Sequence, residues 1–208
     1  MPTTTKTGLV LLAAGASTRM GRPKQLLRYQ GESLLLRALR IARETPFGPI
    51  AVVLGARIEE LEAELEGTDT LVIHNSSWAS GMGSSVATGL EALLRAEPEL
   101  EAACFILVDQ PYLTAAHLKE LHRRLQQAPD KMGAASAYDD TLGVPAIFRD
   151  ALFPELLKLH GQKGAKPVIG KYREQLASVP FPKGRMDLDT PEDWRQFLRD
   201  TSNENGGT

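Results

Sequence analysis

The sequence predicts an α/β fold built on a mostly parallel sheet. Short apolar runs (residues 9–13, 50–54, 70–73 and 102–108) alternate with longer segments whose apolar residues recur at helical spacing. The runs are apolar on both faces, as strands covered by helices on each side should be. The chain has 208 residues, 42% of them hydrophobic and 24% charged, enough for one domain with a sizeable core. It carries no internal repeat and no long linker.

Residues 1–7 read as a flexible lead-in, 8–200 as a single domain and 201–208 as a disordered polar tail. The first strand covers residues 9–13. A helix then starts near Ser33 and fades before Pro46, with Leu34, Leu35, Ala38 and Leu39 on one face. Residues 50–54 form a second buried strand. Ile58, Leu61 and Leu65 mark an acidic helix, and residues 70–73 a third strand. Residues 84–96 read as a helix with Val86, Leu90 and Leu93 inward. Residues 102–108 are the longest uniformly apolar strand and end at Asp109. Thr114 is the expected N-cap of the next helix. His117 and His122 on that helix read as surface residues, because five residues apart they share no metal-binding face.

The last third is less regular. Residues 133–137 and 145–148 are expected strands, with Gly143-Val144-Pro145 turning into the second. Short helices are expected at 151–159 and 167–172. Residues 178–181 read as an edge strand, since proline cannot sit inside a ladder. A final helix at 191–198 begins on Pro191.

Several function classes are disfavoured. A net charge of −2 gives no basis for nucleic acid or an anionic membrane as partner. No apolar run approaches the roughly 20 residues of a membrane span. The N-terminal stretch lacks the apolar core of a signal peptide. Cys104, the single cysteine, precludes an internal disulfide and suits a reducing compartment, so a cytoplasmic protein is expected.

Ligands of open α/β sheets bind beyond the carboxyl ends of the strands, which brings together the loops after Ala13, Ile73 and Val108. In the first loop, Ala13, Ala14, Gly15 and Ala16 are small enough for backbone N–H groups to form an anion-binding nest. Arg19 and Lys24 add two cations. The spacing matches neither a P-loop nor Gly-x-Gly-x-x-Gly. A tight turn with two solvated cations is the alternative. Asp109, at the end of the central strand, can hold Mg²⁺ together with substrate phosphates, or cap the following helix. Asp189 can complete that metal site or serve as a turn residue. Gly81 to Ser85 open a helix, where free N–H groups and hydroxyls can meet a base, ribose or phosphate, or the serine can simply cap. Packing is the expected role of His74 and Trp78. The basic turn at residues 161–166 can embrace a second, anionic substrate or merely join two helices.

The segment Leu12-Ala13-Ala14-Gly15-Ala16-Ser17-Thr18-Arg19-Met20-Gly21-Arg22-Pro23-Lys24-Gln25 resembles the signature loop of the MobA-like nucleotidyltransferases, and within them most the molybdenum cofactor cytidylyltransferases. Asn75-Ser76-Ser77-Trp78, Asp109-Gln110-Pro111, Gly143-Val144-Pro145 and Asp187-Leu188-Asp189-Thr190-Pro191-Glu192-Asp193 extend the match along nearly the whole chain. The resemblance implies a three-layer, Rossmann-like sheet of the nucleotide-diphospho-sugar transferase type, with helices on both faces. It implies that Leu12, Ala13, Ala14, Gly15 and Arg19 hold the nucleotide and Lys24 its triphosphate. Gly81 and Ser85 would face base and ribose, and Asp109 and Asp189 the metal, Mg²⁺ with Mn²⁺ as a substitute. Arg19, Lys24 and Asp109 are the expected catalytic residues. Alanine at position 14 goes with CTP in this family, glycine with guanylyl transfer. The expected reaction is CMP transfer from CTP to the terminal phosphate of molybdopterin, with release of pyrophosphate and a client molybdoenzyme downstream. GTP as donor, a sugar or alcohol phosphate as acceptor, or a non-catalytic cofactor carrier are the alternatives.

Overall fold

The computed structural model describes residues 5–205. Its elements, in order, are β1 (Thr7–Leu12), β2 (Arg28–Tyr29), β3 (Glu32–Ser33), α1 (Leu34–Arg43), β4 (Ile50–Leu54), α2 (Ile58–Leu65), β5 (Leu71–His74), α3 (Met82–Ala96) and β6 (Ala102–Leu107). They continue with α4 (Ala115–Gln127), β7 (Gly133–Tyr138), β8 (Thr141–Arg149), α5 (Phe153–Leu156), α6 (Lys166–Lys171), β9 (Leu176–Pro180) and α7 (Pro191–Asn205). Among the described residues, seven strands form one sheet in the order β5-β4-β1-β6-β8-β7-β9. β5, β4, β1 and β6 run parallel; β8 is antiparallel to both β6 and β7, and β9 is parallel to β7.

β1 is buried along its whole length, and its alternate residues feed two cores. Leu9 and Leu11 pack with α1, α2, α4 and α7; Val10 and Leu12 pack with α3, α5 and α6. The result is the expected three-layer arrangement, with Ser33 and Thr114 capping α1 and α4 through their hydroxyls. β9 is indeed an edge strand.

Several expectations need correction. Thr7, placed in a flexible lead-in, is the first residue of β1. Thr201–Asn205, placed in a disordered tail, continue α7; residues 1–4 and 206–208 lie outside the described residues. Gly143, Val144 and Pro145 are not a turn but lie inside β8. The helix expected at 151–159 is only the four-residue α5 after a 3-10 turn. His117 and His122 are not surface residues. The His117 ring stacks on Phe181 at 4.3 Å, and its Nε2 lies 2.8 Å from Ser136 Oγ, which itself donates to Pro145 O. His122 is buried edge-on to Phe47.

Because the four parallel strands point one way, their carboxyl ends share one edge of the sheet. The reversal of β8 brings its start to that edge, and β7 and β9 end there. The segments after β1, β5, β6 and β9 therefore converge.

Two stability measurements follow from the packing. A Cβ on Gly89 would lie 2.5 Å from Val10 Cγ1 and 2.9 Å from Val53 Cγ2. Gly89→Ala is expected to destabilise by about 1–3 kcal/mol through overpacking, seen as a thermal midpoint several degrees lower. An unchanged midpoint would contradict this close approach of α3 to the sheet. Burial pushes His117 down to about 4, and shifts His122 in the same direction. Both are neutral in the fold but charge in the unfolded chain near its ordinary value of about 6.5. The contribution of His117 is therefore full above that value and lost as pH falls from there to about 4; that of His122 has the same sign. His117→Phe is expected to flatten this acid limb of the stability profile; a limb of wild-type steepness would contradict it.

Candidate active site

The loop after β1 turns sharply at Ser17 and Gly21, both at positive φ. Its fold is fixed by Gln25, whose side chain is 1% exposed. Gln25 Nε2 donates to Ala13 O at 2.9 Å and Gly15 O at 2.8 Å, while Oε1 accepts from Ser17 Oγ at 3.1 Å. Ser17 Oγ in turn accepts from the Lys24 amide. Two loop carbonyls are thus held inward and the small residues 13–16 line the crevice. The Ala13 amide is already taken by Val53 O at 3.0 Å, so the expected anion nest starts no earlier than Ala14. A buried glutamine is only satisfied by such a network. Sequence reasoning quoted Gln25 without giving it a role.

A second buried amide organises the other wall. Asn75 Nδ2 donates to Ser84 Oγ and Ser85 Oγ, both at 2.9 Å, and its Oδ1 accepts from the Ser77 amide. Trp78 sits against Gly55, where any Cβ would collide with the indole's own Cβ. So Trp78 packs, as expected, and also lines the crevice. His74 instead pairs with Glu62 at the surface, 2.7 Å away.

Between these walls lies a pocket of about 270 Å³. Leu12, Ala13, Ala14, Gly15, Lys24, Gly81, Ser85 and Asp109 all line it, eight of the nine residues expected to hold the nucleotide. Arg19 is the exception. It lies exposed and reaches Asp189 Oδ2 at 2.7 Å. A larger cleft of about 640 Å³, open to solvent between Tyr112 and Asp200, shares none of these residues.

The charged groups meet at the floor. Lys24 Nζ lies 2.5 Å from Asp109 Oδ2 and 2.8 Å from Asp189 Oδ1. The lysine and aspartate side chains at the first contact are only 11% and 14% exposed. Burial opposes the charge on Lys24, but attraction to Asp109 and then Asp189 outweighs it and holds the ammonium above its ordinary value. Burial likewise opposes ionisation of Asp189, yet Lys24 and Arg19 keep its carboxyl below the usual range. The segment carrying Asp189 is tied in place by Leu188 N donating to Asp109 O at 3.0 Å. The start of α7 is capped by Thr190 and Asp193 reciprocally, Asp193 Oδ2 accepting from the Thr190 amide at 2.7 Å and Thr190 Oγ1 from the Asp193 amide at 3.2 Å. The turn therefore does not need the Asp189 carboxylate, which is left for the cations. Asp187, not singled out by sequence, lies close by. Burial, then repulsion from Asp109 and Asp189, pushes its carboxyl up to about 7.

The donor set fits a divalent cation of the Mg²⁺ type. Asp109 Oδ1 is buried without a hydrogen-bond partner among the described residues, an oxygen with ligating capacity to spare. No group of three or more metal-ligating side chains is assembled among those residues. Two carboxylates completed by water and phosphate oxygens is the mode Mg²⁺ favours.

A family model described as MobA-like NTP transferase domain matches residues 9–176. Purine catabolism protein PucB of Bacillus subtilis is 29% identical over 203 residues, covering 91% of this chain and 95% of PucB. A probable molybdenum cofactor guanylyltransferase of Synechococcus elongatus is 27% identical over 193 residues, covering 89% of this chain and 95% of that one. Nicotine blue oxidoreductase of Paenarthrobacter nicotinovorans is 34% identical over 141 residues, 67% of this chain; the match spans 65% of that protein, just under two thirds. Among solved structures, Rv0371c of Mycobacterium tuberculosis in complex with manganese superposes with a TM-score of 0.73 at 30% identity, covering 94% of this chain and 99% of that one. Its homologue from Mycobacterium sp. strain JC1 gives 0.80 at 27% identity, covering 95% and 97%.

The Lys24 contacts generate a binding prediction. A cation entering between Asp109 and Asp189 must displace this ammonium. Lys24→Met is expected to bind Mn²⁺ more tightly than wild type without nucleotide, on the order of tenfold, the scale of a 1.4 kcal/mol change. Calorimetric titration reads this directly, and equal or weaker binding would show that Lys24 does not compete for the carboxylates.

Proposed function

The chain belongs to the MobA-like NTP transferase family, and on that premise we propose that it transfers CMP from CTP to the terminal phosphate of molybdopterin, giving a cytosine dinucleotide and pyrophosphate. The observation that carries this reading is that one pocket is lined by Leu12, the small loop residues 13–16, Lys24, Ser85 and Asp109. It offers small residues that let a phosphate approach the backbone, a lysine cation and a carboxylate, the needs of a nucleoside triphosphate.

The reaction is an in-line displacement. An oxygen of the acceptor phosphate forms a bond to the α-phosphorus, and the bond from that phosphorus to the bridging oxygen breaks with its electron pair leaving on pyrophosphate. A phosphate monoester is already anionic at neutral pH, so no general base is required. That agrees with a site of carboxylates, cations and small residues in which histidine plays no part. Asp109 and Asp189 would hold Mg²⁺, with Mn²⁺ as a substitute, and the metal when bound supplies neutralisation of phosphate charge. Lys24 and Arg19, released from the carboxylates, would then face the triphosphate and offset charge on the departing pyrophosphate. Positioning and electrostatics carry such transfers.

Ala14 supports cytosine over guanine. Its methyl group lines the pocket next to the loop backbone and restricts how closely a purine approaches. The guanylyl alternative draws on the names of relatives such as the Synechococcus protein. A carrier that only binds the cofactor has no use for paired carboxylates held by two cations. No helix among the described residues is long and apolar enough to cross a membrane.

Incubation with Mg²⁺, molybdopterin and either CTP or GTP, scored by the dinucleotide formed, tests the proposal; product from GTP alone would overturn the base assignment. Asp109→Asn is expected to cut pyrophosphate release by roughly 100-fold or more with the thermal midpoint preserved. Wild-type release by that variant would remove Asp109 from the mechanism.

A further inference from the structure

A second cavity, of about 240 Å³, adjoins the nucleotide pocket. Leu12, Met82, Leu107 and Gln162 line both, so the two spaces share a wall. The second cavity is broadly apolar, with Val86, Val144 and Ile169 among its walls, and polar groups from Gln110, Tyr138 and Asp187 punctuate it. Lys163 and Lys166 stand at its rim. Both are exposed; the Lys166 amide donates to Lys163 O at 3.1 Å, and neither ammonium group makes a hydrogen bond or ion pair among the described residues. Asp187, from the turn that also carries Asp189, lines the same cavity as Lys163 and Lys166, which places this rim beside the carboxylate floor.

The loop that carries these lysines is seated on the start of α3 with no side chain between. The Gly83 amide donates to Gly161 O at 2.9 Å. A Cβ on Gly81 would collide with the Gly161 carbonyl, and one on Gly83 would lie 2.7 Å from the His160 backbone. Met82 and Gly81, between these contacts, line the nucleotide pocket. The wall of one cavity and the rim of the other are thus a single glycine-packed unit.

We propose that the 240 Å³ cavity is the acceptor site: it receives a flat, largely apolar phosphate monoester, Lys163 and Lys166 hold the phosphate, and the glycine contact of residues 160–164 with α3 sets its position relative to the donor nucleotide. This rests on the nucleotidyl-transfer reading above and adds to it the location and chemistry of the second substrate. Two unpaired cations beside an apolar slot suit an anionic head on an apolar body. The separation of the cavities by one shared wall suits an in-line approach to the donor.

The test uses 4-methylumbelliferyl phosphate, a flat fluorescent phosphate monoester, with the protein saturated by a non-hydrolysable CTP or GTP analogue. Probe binding is read by fluorescence polarisation, and analogue binding by tryptophan fluorescence, since Trp78 lines the donor pocket. The paired change Lys163→Gln and Lys166→Gln is expected to weaken probe binding at least tenfold, with analogue affinity within twofold of wild type. Gly83→Ala, which must push the loop outward, is expected to weaken the probe in the same way. The proposal is overturned if wild type fails to bind the probe, if the lysine variant binds it as wild type does, or if probe and analogue affinities fall together. Turnover with molybdopterin is measured in parallel. If wild type binds the probe but forms no dinucleotide, the proposed reaction fails and the cavity assignment stands on the probe alone.

Discussion

An ammonium group that is almost buried cannot stand alone, and the arrangement of this site follows from how Lys24 is accommodated. Its two partners, Asp109 and Asp189, lie 85 and 165 residues further along the chain. Removing both carboxylates would leave an uncompensated charge in a poorly hydrated place, whereas either one alone still pairs with the ammonium. Meeting the requirement draws three distant segments to one point: the loop after β1, the end of β6 and the turn before α7. The Leu188 amide on the Asp109 carbonyl fixes the third segment to the second without using either carboxylate. In the free protein the site is therefore internally neutralised. On the proposed function, substrate and cation would enter by exchanging partners with charges already present, a smaller electrostatic change than filling an unpaired anionic pocket.

Around this point the chain separates shape from chemistry. Gln25 and Asn75, both neutral and buried, determine how the two loops fold. Because they carry no charge, they shape the pocket without adding to its field. Capping of α7 falls to Thr190 and Asp193, so Asp189 is spared that duty.

The sequence carries the scaffold in plain form because burial on both faces leaves an unmistakable pattern. Residues 9–12 of β1 and 102–107 of β6 are uniformly apolar, and each lies between two helical layers. The helix start near Ser33 and the cap at Thr114 were readable because the signal is local. What escaped depends on contacts distant in sequence. His117 looked solvated on its helix, but Ser136 and Phe181 cover it, and nothing near residue 117 announces them. Thr201–Asn205 looked like a tail by composition, yet they prolong a helix whose Trp194 and Phe197 are anchored in the core. Eight of the expected nucleotide residues converge on one pocket because strand ends gather there by topology alone. Their pairing was not foreseeable: Lys24 and Arg19, assigned to phosphate by resemblance, meet aspartates in the free chain. The weakened acidity of Asp187 comes from burial and then from the nearby Asp109 and Asp189, which spacing cannot reveal.

The reversal at β8 has a further consequence. On one side of it, β5, β4, β1 and β6 deliver the nucleotide loops; on the other, β8, β7 and β9 deliver Tyr138, Val144 and the segment leading to Asp187. The two sets join along a single seam, the β6–β8 ladder. Descent with modification can therefore rework one bank of the sheet while the other stays as inherited. A lineage can keep its way of gripping a nucleotide and still take up new companions for it, which makes it unsurprising that the relatives of this chain carry names as different as PucB and a molybdenum cofactor guanylyltransferase.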